Sequence, residues 1–526
     1  MTSTFHTLET SKRALFVTTA SLQTMGHNIS NVNTDGYTRQ RVNISAARPI
    51  WALGFTKSEA AGQLGTGVQY DSITRIRNSY LDLQFRRENQ ELGAAEVLNT
   101  SMVAIQNIIN EPSTSGLSTV MDDFWNSWET LNRDPSLLSA RVAVAGTAQN
   151  LADTLKHISD SLTNLTTDTA SNIDKKIVQA NDIVENIAKL NKMVKDNESF
   201  GDHANDYRDQ RDLLIDQLSK IVNVTVTEDE TGMVSITAAG VNVVNGLDAT
   251  TPLTAGDAQT ATAGELKGYI MSLQEADTIR NQLNGMMKTL VSGKITVSLD
   301  NGYVTSSPMS ALNDVTLKDG STIIAGQMIP AGSEITSPMK VEVNGFNGLH
   351  ALGYTLSDPA TSGLPFFVAK DGGNEITIDN ITLNPEIAKN TDKIAASSKY
   401  ETVNGVNKTI RGNSDMAIAL VGLRDAVFKF PDSLTSLSQG TTDDFFRALT
   451  ADLGLRAQNV ERNYNNETSL TNSLESQRQS VSGVSMDEEL SDMIKFQQTY
   501  NAAARMMTTF DEMLDKVINS MGTVGR

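Results

Sequence analysis

At 526 residues the chain exceeds what one hydrophobic core usually holds, so about three domains are expected. A net charge of −19 repels phosphate backbones and argues against nucleic-acid partners. The absence of cysteine excludes disulfides, thiolate metal sites and a cysteine nucleophile. No run approaches the roughly 20 apolar residues of a membrane span. The clearest, MAIALVGL between Asp415 and Arg424, is far shorter, so no membrane contact is expected. ALFVTTASLQT after Lys12 and Arg13 is too polar for a signal-peptide core, which taken alone reads as cytoplasmic.

In chain order, Leu8, Leu15, Leu22 and Ile29 recur every seven residues with Phe5 on the same seam, predicting a coiled-coil-like helix over about 3–30. Helices are then predicted at 77–110, 117–133, 137–164 and 170–197. Pro112 and Pro135 sit just past helix ends, and Ser136 is a candidate cap. In the fourth of these, Ile173, Ile177, Ala180, Val184, Ile187 and Val194 keep the coiled-coil period. From 222, the β-branched alternation of VNVTVTED and VSITAAGVNVV around ETGM reads as a hairpin. A helix returns at 263–291, and short strand patterns between Gly, Asp and Pro turns fill 293–400, read as β modules inserted in a helical frame. Helices resume at 413–430 and 442–480, and Gly483 breaks the pattern before a last helix at 486–520.

In that last helix Met486, Leu490, Met493, Gln497, Tyr500, Ala504, Met507, Asp511, Leu514, Ile518 and Met521 alternate steps of four and three. Phe496, Ala503, Phe510 and Val517 add a flanking row at steps of seven. One row suffices for a two-stranded seam, so the second predicts more than one neighbour. The first fifty residues are net positive (Lys12, Arg13, Arg39, Arg41 and Arg48 against Glu9 and Asp35), whereas 485–526 is net negative. The two terminal helices are therefore predicted to pair, charges choosing the partner and the apolar seam supplying the stability.

GHNISNVNTDGYTRQRV at 26–42 resembles the signature of flagellar rod, hook and hook-associated proteins. Asn31, Asn33 and Asp35 can bond their own backbone and Gly36 tolerates the left-handed conformation, so the helix stops and the chain reverses. The family usually has proline where Asp35 stands. GTGVQYDSITRIRNSYLDLQFR at 65–86, MDDFWNSWETLNRDPSLLSAR at 121–141, NDYRDQRDLLIDQL at 205–218, FNGLHALGYTL at 346–356 and the tail from 480 to 518 are similar to the family of the first hook-associated protein, the hook–filament junction family. A β-rich stretch at 293–342 looks like an insertion in that family's middle region.

The resemblance implies a structural, non-enzymatic subunit without cofactor. It implies export through the flagellar type III channel by an uncleaved N-terminal signal, and residence at the distal end of the hook. The implied partners are other copies in a ring, hook protein below, the third hook-associated protein above, and a cytoplasmic export chaperone on the C-terminal helix. The expected fold is mainly α with inserted β modules. Its expected domains are terminal helices (1–40 with 486–526), an α-rich rod-like core (41–220 with 263–292 and 405–485) and a β-rich outer domain (221–262 with 293–404). The assembly interface is expected at Phe5, Leu8, Leu15, Leu22, Ile29, Leu490, Met493, Phe496, Tyr500, Met507, Phe510, Leu514 and Ile518. The turn motif is expected at Asn28, Asn31, Asn33, Asp35, Gly36 and Tyr37.

Catalytic readings are weak. Gly62, Gly65 and Gly67 lack the Lys-Ser/Thr and βαβ frame of a phosphate loop. His6, His27, His157, His203 and His350 show no metal-ligand spacing and read as hydrogen-bonding residues at helix ends or interfaces. Asp122–Asp123 and Asp443–Asp444 fall near helix starts, where carboxylates favour the macrodipole. Asp209, Arg211 and Asp212 read as a surface ion-pair patch. A secreted adhesin or enzyme with a ligand-binding β domain is the rival; it leaves the paired heptad termini unexplained.

Overall fold

The computed structural model describes residues 5–48, 65–431 and 437–519; Gly62 and Met521 lie outside them. The chain forms two compact units, the first of residues 1–96, 173–268 and 463–526, the second of 97–172 and 269–462. The helices are α1 (His6–Ser30), α2 (Ser79–Ile109), α3 (Leu117–Arg133), α4 (Leu138–Glu198), α5 (Asn205–Ile221), α6 (Ala255–Thr260), α7 (Gly264–Ser292), α8 (Gly345–Leu352), α9 (Pro385–Lys389), α10 (Asp415–Val421), α11 (Thr442–Ser482) and α12 (Met486–Asn519). Among the described residues the strands pair antiparallel, in small sheets, which together with the helices makes the fold mainly α with β modules.

Three local readings change. The helices expected at 137–164 and 170–197 are one helix, α4, of 61 residues. The Thr-rich stretch between them contains neither Gly nor Pro. Its hydroxyls bond within the helix, Thr163 to Ser159 O (2.9 Å), Thr167 to Thr163 O (2.8 Å) and Thr169 to Leu165 O (2.7 Å), so nothing ends it. Ser136 does not cap α4, because its hydroxyl bonds Asp134 instead (2.8 Å), inside the turn before the helix. The helix expected at 413–430 stops at Val421, followed by Gly422 and a strand at Phe428–Lys429.

In the first unit β1 (Gln40–Ala46) pairs with β2 (Val68–Arg75). The expected hairpin after 222 is a four-stranded meander, β3 (Val224–Glu228), β4 (Val234–Ala238), β5 (Val241–Asn245) and β6 (Asp248–Ala249). The periodic residues Ile173, Ile177, Ala180, Val184, Ile187 and Val194 of α4 are all buried.

The second unit is centred on an aromatic cluster. Buried Phe124 and Trp128 of α3 meet Phe346 of α8 and Phe366. Ring centroids lie 5.5 Å apart for Phe124–Phe346, 5.4 Å for Trp128–Phe366 and 5.2 Å for Phe346–Phe366. Beside it His350 is fully buried. Its Nδ1 donates to Leu364 O (2.5 Å) and its Nε2 accepts from Ala395 N (2.9 Å), and burial lowers its pKa to about 4. Arg141, also buried, donates to the carbonyls of Pro135, Thr391 and Ile394. Arg424 gathers the two acidic pairs: it bonds Asp122 and lies 3.8 Å from Asp443.

The β-rich stretch has its own period. Every sixth residue from Leu299 through Thr305, Ala311, Leu317, Ile323, Ile329 and Ile335 to Val341 points inward, all of them buried except the half-buried Ile323. Three residues after each of Leu299, Leu317, Ile323 and Ile329 stands a glycine, Gly302, Gly320, Gly326 or Gly332. Their φ values are +90°, +84°, +85° and +81°, a turn geometry side chains resist. The strands β7 (Lys294–Leu299), β8 (Met309–Ser310), β9 (Val315–Thr316), β10 (Thr322–Ile323), β11 (Met328–Ile329) and β12 (Met339–Asn344) pair as a long hairpin whose tip also pairs with the returning arm, Leu317 facing Ile335. Lys294 faces Asn344, Leu299 faces Met339, Val304 faces Glu334, Met309 faces Ile329 and Val315 faces Ile323, with Asp319 at the tip.

Candidate assembly site

The terminal helices α1 and α12 pair in antiparallel fashion. Asn28, near the C-terminal end of α1, bonds Glu489 at the start of α12. At the other end Phe5 and Leu8 share a cleft with Leu514 and Ile518. On α1 the buried face is Ser11, Val17, Thr18, Ser21, Thr24, Met25 and Asn28, while Leu8, Leu15, Leu22 and Ile29 are only half-buried beside it. On α12 Glu489 and Ala503 are buried, Met493, Phe496, Met507, Phe510 and Leu514 are half-buried, and Leu490, Tyr500 and Ile518 are exposed.

The row through Phe496, Ala503 and Phe510, expected as a flank, therefore belongs to the seam, and part of the expected main row faces out. The cause is on α1: Ser21, Thr24 and Met25 share a cleft with Phe496, small hydroxyl side chains leaving room for the ring. Outward from the pair stand Met486, Ile494, Met506, Met513 and Val517 as well as Leu490, Tyr500 and Ile518. Phe5 and Phe16 of α1 are likewise exposed, 58% and 61%.

The turn after α1 is held by side chains. Asn31 Nδ2 bonds its own helix at His27 O (3.0 Å), and Thr34 donates to Asn31 Oδ1 (3.1 Å). Asn33 and Asp35 are exposed at the turn. Gly36 has φ +78°, and a Cβ there would come within 2.9 Å of Leu213 Cβ. Tyr37 donates to Asn28 Oδ1 (2.8 Å); burial and the nearby Asp206, Asp209 and Glu489 carboxylates push its phenol pKa up.

Beside the turn lies a charge cluster that overturns the surface-patch reading. Asp209, Arg211 and Asp212 are buried, at 4%, 1% and 9% exposure. Burial is possible because arginines from distant segments converge on one face of α5. Arg75 reaches Asp209 (2.7 Å) and Asp212 (2.9 Å), Arg77 reaches Asp212 (3.2 Å), and Arg86 reaches Asp216 (2.6 Å). Arg478 of α11 reaches Asp216 (2.7 Å) and Asp82 (3.0 Å) and stacks over Phe85, 4.2 Å from its ring centroid. Thr38 N donates to Asp209 (2.9 Å), tying the turn to the cluster. The arginines hold the Asp212 carboxyl well below the usual carboxylate range against its burial. Arg211 turns away to Asn191 Oδ1 (3.0 Å) and Gly232 O (2.6 Å). Among the described residues no group of acidic, His or Cys side chains could hold a metal ion, and no helix is long and apolar enough to cross a membrane.

The chain is similar to known proteins. A family model described as the flagellar hook-associated protein FlgK helical domain matches residues 102–367, and one described as the flagellar basal body rod FlgEFG protein C-terminal matches residues 471–521. The flagellar hook-associated protein 1 of Bacillus subtilis (strain 168) is 32% identical over 539 residues, covering 100% of both chains. That of Escherichia coli (strain K12) is 26% identical, covering 95% of this chain and 97% of its own. The structure of the flagellar hook junction protein FlgK from Burkholderia pseudomallei has a TM-score of 0.52 at 14% identity, covering 76% of this chain and 100% of that one, a likeness of fold. A pair of terminal helices carrying a rod-type C-terminal segment defines the class, a structural protein of the flagellum. Within that class, the chain belongs to the flagellar hook-associated protein 1 family.

Proposed function

We propose that the chain is a structural subunit of the hook–filament junction, assembling through its terminal helices without catalysis. The observation that carries this reading is the set of exposed apolar side chains flanking the seam on α12, Met486, Leu490, Ile494, Tyr500, Met506 and Met513, left uncovered by the pairing with α1. Such a surface gains roughly 25 cal/mol per Å² when a neighbour covers it, and isolated helices are marginal in water, so assembly completes an ordering of the termini that the α1–α12 pairing begins. Copies of the chain in a ring, hook protein below and the third hook-associated protein above are the proposed neighbours. A cytoplasmic chaperone covers these side chains before export through the flagellar type III channel, and the subunit ends at the distal end of the hook. The residues proposed to carry assembly are those of both rows of α12 with Phe5, Leu8, Leu15, Leu22 and Ile29 of α1. The adhesin or enzyme reading accounts for the long β hairpin but gives the exposed side chains no task.

The test is deletion of residues 486–526 in the native bacterium. Motility is expected to be lost, with filament protein shed into the medium because nothing founds the filament. Normal filaments on that strain would overturn the proposal.

A further inference from the structure

Heptad seams define which face of a helix is buried but repeat every seven residues, so they specify register weakly. The α1 side of this seam is unusually even. Ser11, Thr18, Ser21 and Thr24 are buried, and each hydroxyl bonds a carbonyl of its own helix, at Thr7 (3.0 Å), Ala14 (2.8 Å), Val17 (2.9 Å) and Ala20 (2.9 Å). These bonds are spent within α1. On α12, Phe496 and Phe510 stand two heptads apart and are interchangeable under a slip of that length.

One end of the seam is different. Asn28 is 1% exposed and Glu489 is 2% exposed. Asn28 Nδ2 donates to Glu489 Oε2 (3.0 Å) and Gln40 O (2.9 Å), and its Oδ1 accepts from Gln40 N (3.0 Å) and Tyr37 OH (2.8 Å). Glu489 Oε1 accepts from Arg39 Nε (2.6 Å), while Arg39 Nη1 donates to Glu488 (2.7 Å) and Arg39 N to Ser482 O (2.8 Å). The clasp thus joins α1, the turn, the last residue of α11 and the first turn of α12, and both carboxylate oxygens of Glu489 are bonded. Any slip of α12 along α1 withdraws the buried Glu489 carboxylate from Asn28 and Arg39, whereas the apolar seam re-forms. Buried polar groups are expensive to leave unpaired, and setting register is their best-attested structural use.

We propose that Asn28, Arg39 and Glu489 form a register lock that fixes where α12 sits along α1. They are positioning residues: the apolar rows decide that the helices pair, and the lock selects one alignment among heptad-spaced alternatives. Asn28, Arg39 and Glu489 meet within one chain, so the lock does not depend on the junction role.

The chain contains no cysteine, so introduced pairs report register directly. Leu8→Cys with Leu514→Cys reads the observed alignment, since both residues line one cleft. Leu8→Cys with Met507→Cys reads a slip of one heptad. In the full-length purified chain under mild oxidation, the first pair is expected to cross-link in roughly hundredfold excess over the second. Asn28→Asp, which sets a second carboxylate against Glu489, is expected to bring the two yields within about threefold, and Glu489→Gln in the Asn28→Asp background to restore part of the excess. Far-UV circular dichroism keeps the reading clear of unfolding, with Glu489→Gln alone as the milder variant. An unchanged cross-link ratio in Asn28→Asp would show that the seam itself sets the register and would overturn the proposal. So would loss of helix content in both variants, since a lock should shift the alignment and leave the helices formed.

Discussion

The aromatic core of the second unit and the charged cluster of the first both join segments far apart in the chain, by opposite chemistry. Phe124, Trp128, Phe346 and Phe366 hold together by non-directional burial, which tolerates a change of shape that keeps volume. Asp209, Asp212 and Asp216 hold Arg75, Arg77, Arg86 and Arg478 through bonds of fixed direction, where removing one partner strands the others. The lesson is that the first unit, which carries the terminal helices, is specified by geometry more than by hydrophobicity.

The comparison is tested most severely by Trp128→Ala. It should destabilise the second unit by about 3–5 kcal/mol, seen as a lowered calorimetric transition, while the first-unit transition stays in place. Phe346→Leu should lose under about 1.5 kcal/mol in the same assay; an equal loss would mean the aromatic core is as directional as the charged one. Asp212→Asn should weaken the first unit by roughly 3 kcal/mol and speed hydrogen exchange in α5. If Asp212→Asn were neutral, the cluster would be a bystander to packing.

Acid separates the two units further. His350 is neutral in the folded chain, with a pKa near 4 where the unfolded side chain titrates near 6.5. The unfolded state takes up the proton first, so the contribution of His350 is complete above about pH 6.5 and falls away as pH drops toward 4, on the order of 3 kcal/mol at most. Asp212, held low, keeps its contribution down to the ordinary carboxylate range and loses it only below that. The second unit should therefore soften at pH 5 while the first does not, measurable by calorimetry at pH 7 and 5; softening of the first unit instead would reverse the assignment. At the small end, Lys288→Ala removes an exposed pair with Glu375 and should leave the calorimetric transition of the second unit where it is.

How much of this was legible depended on the kind of signal. The spacing of Ile173, Ile177, Ala180, Val184, Ile187 and Val194 on α4 was readable because a buried helix face is periodic, and the opposite charges of the two termini foretold their pairing. Both rows of α12 were visible too, but not which one met α1, since that depends on Ser21 and Thr24 opposite Phe496. The charged cluster was not readable: Asp209 and Asp212 look like any exposed pair until Arg75, Arg86 and Arg478 are brought to them by the fold. Asn28 was legible as a turn residue and not as the partner of Glu489, which lies far away in sequence. The six-residue period from Leu299 to Val341 stood in plain view and needed only a search for repeats.

That period has a consequence for how such a chain can vary. Each six residues return a side chain to the interior, and the tip is paired twice, Val315 with Ile323 and Leu317 with Ile335, so a single residue gained or lost within an arm would turn the later inward positions outward. Six residues gained or lost restore the inward pattern, but within the stretch between Leu317 and Ile335 they set Leu317 opposite a different residue of the returning arm. The stretch between Lys294 and Asn344 thus repeats in sequence without being free to change in length, because its pairs run in two registers at once.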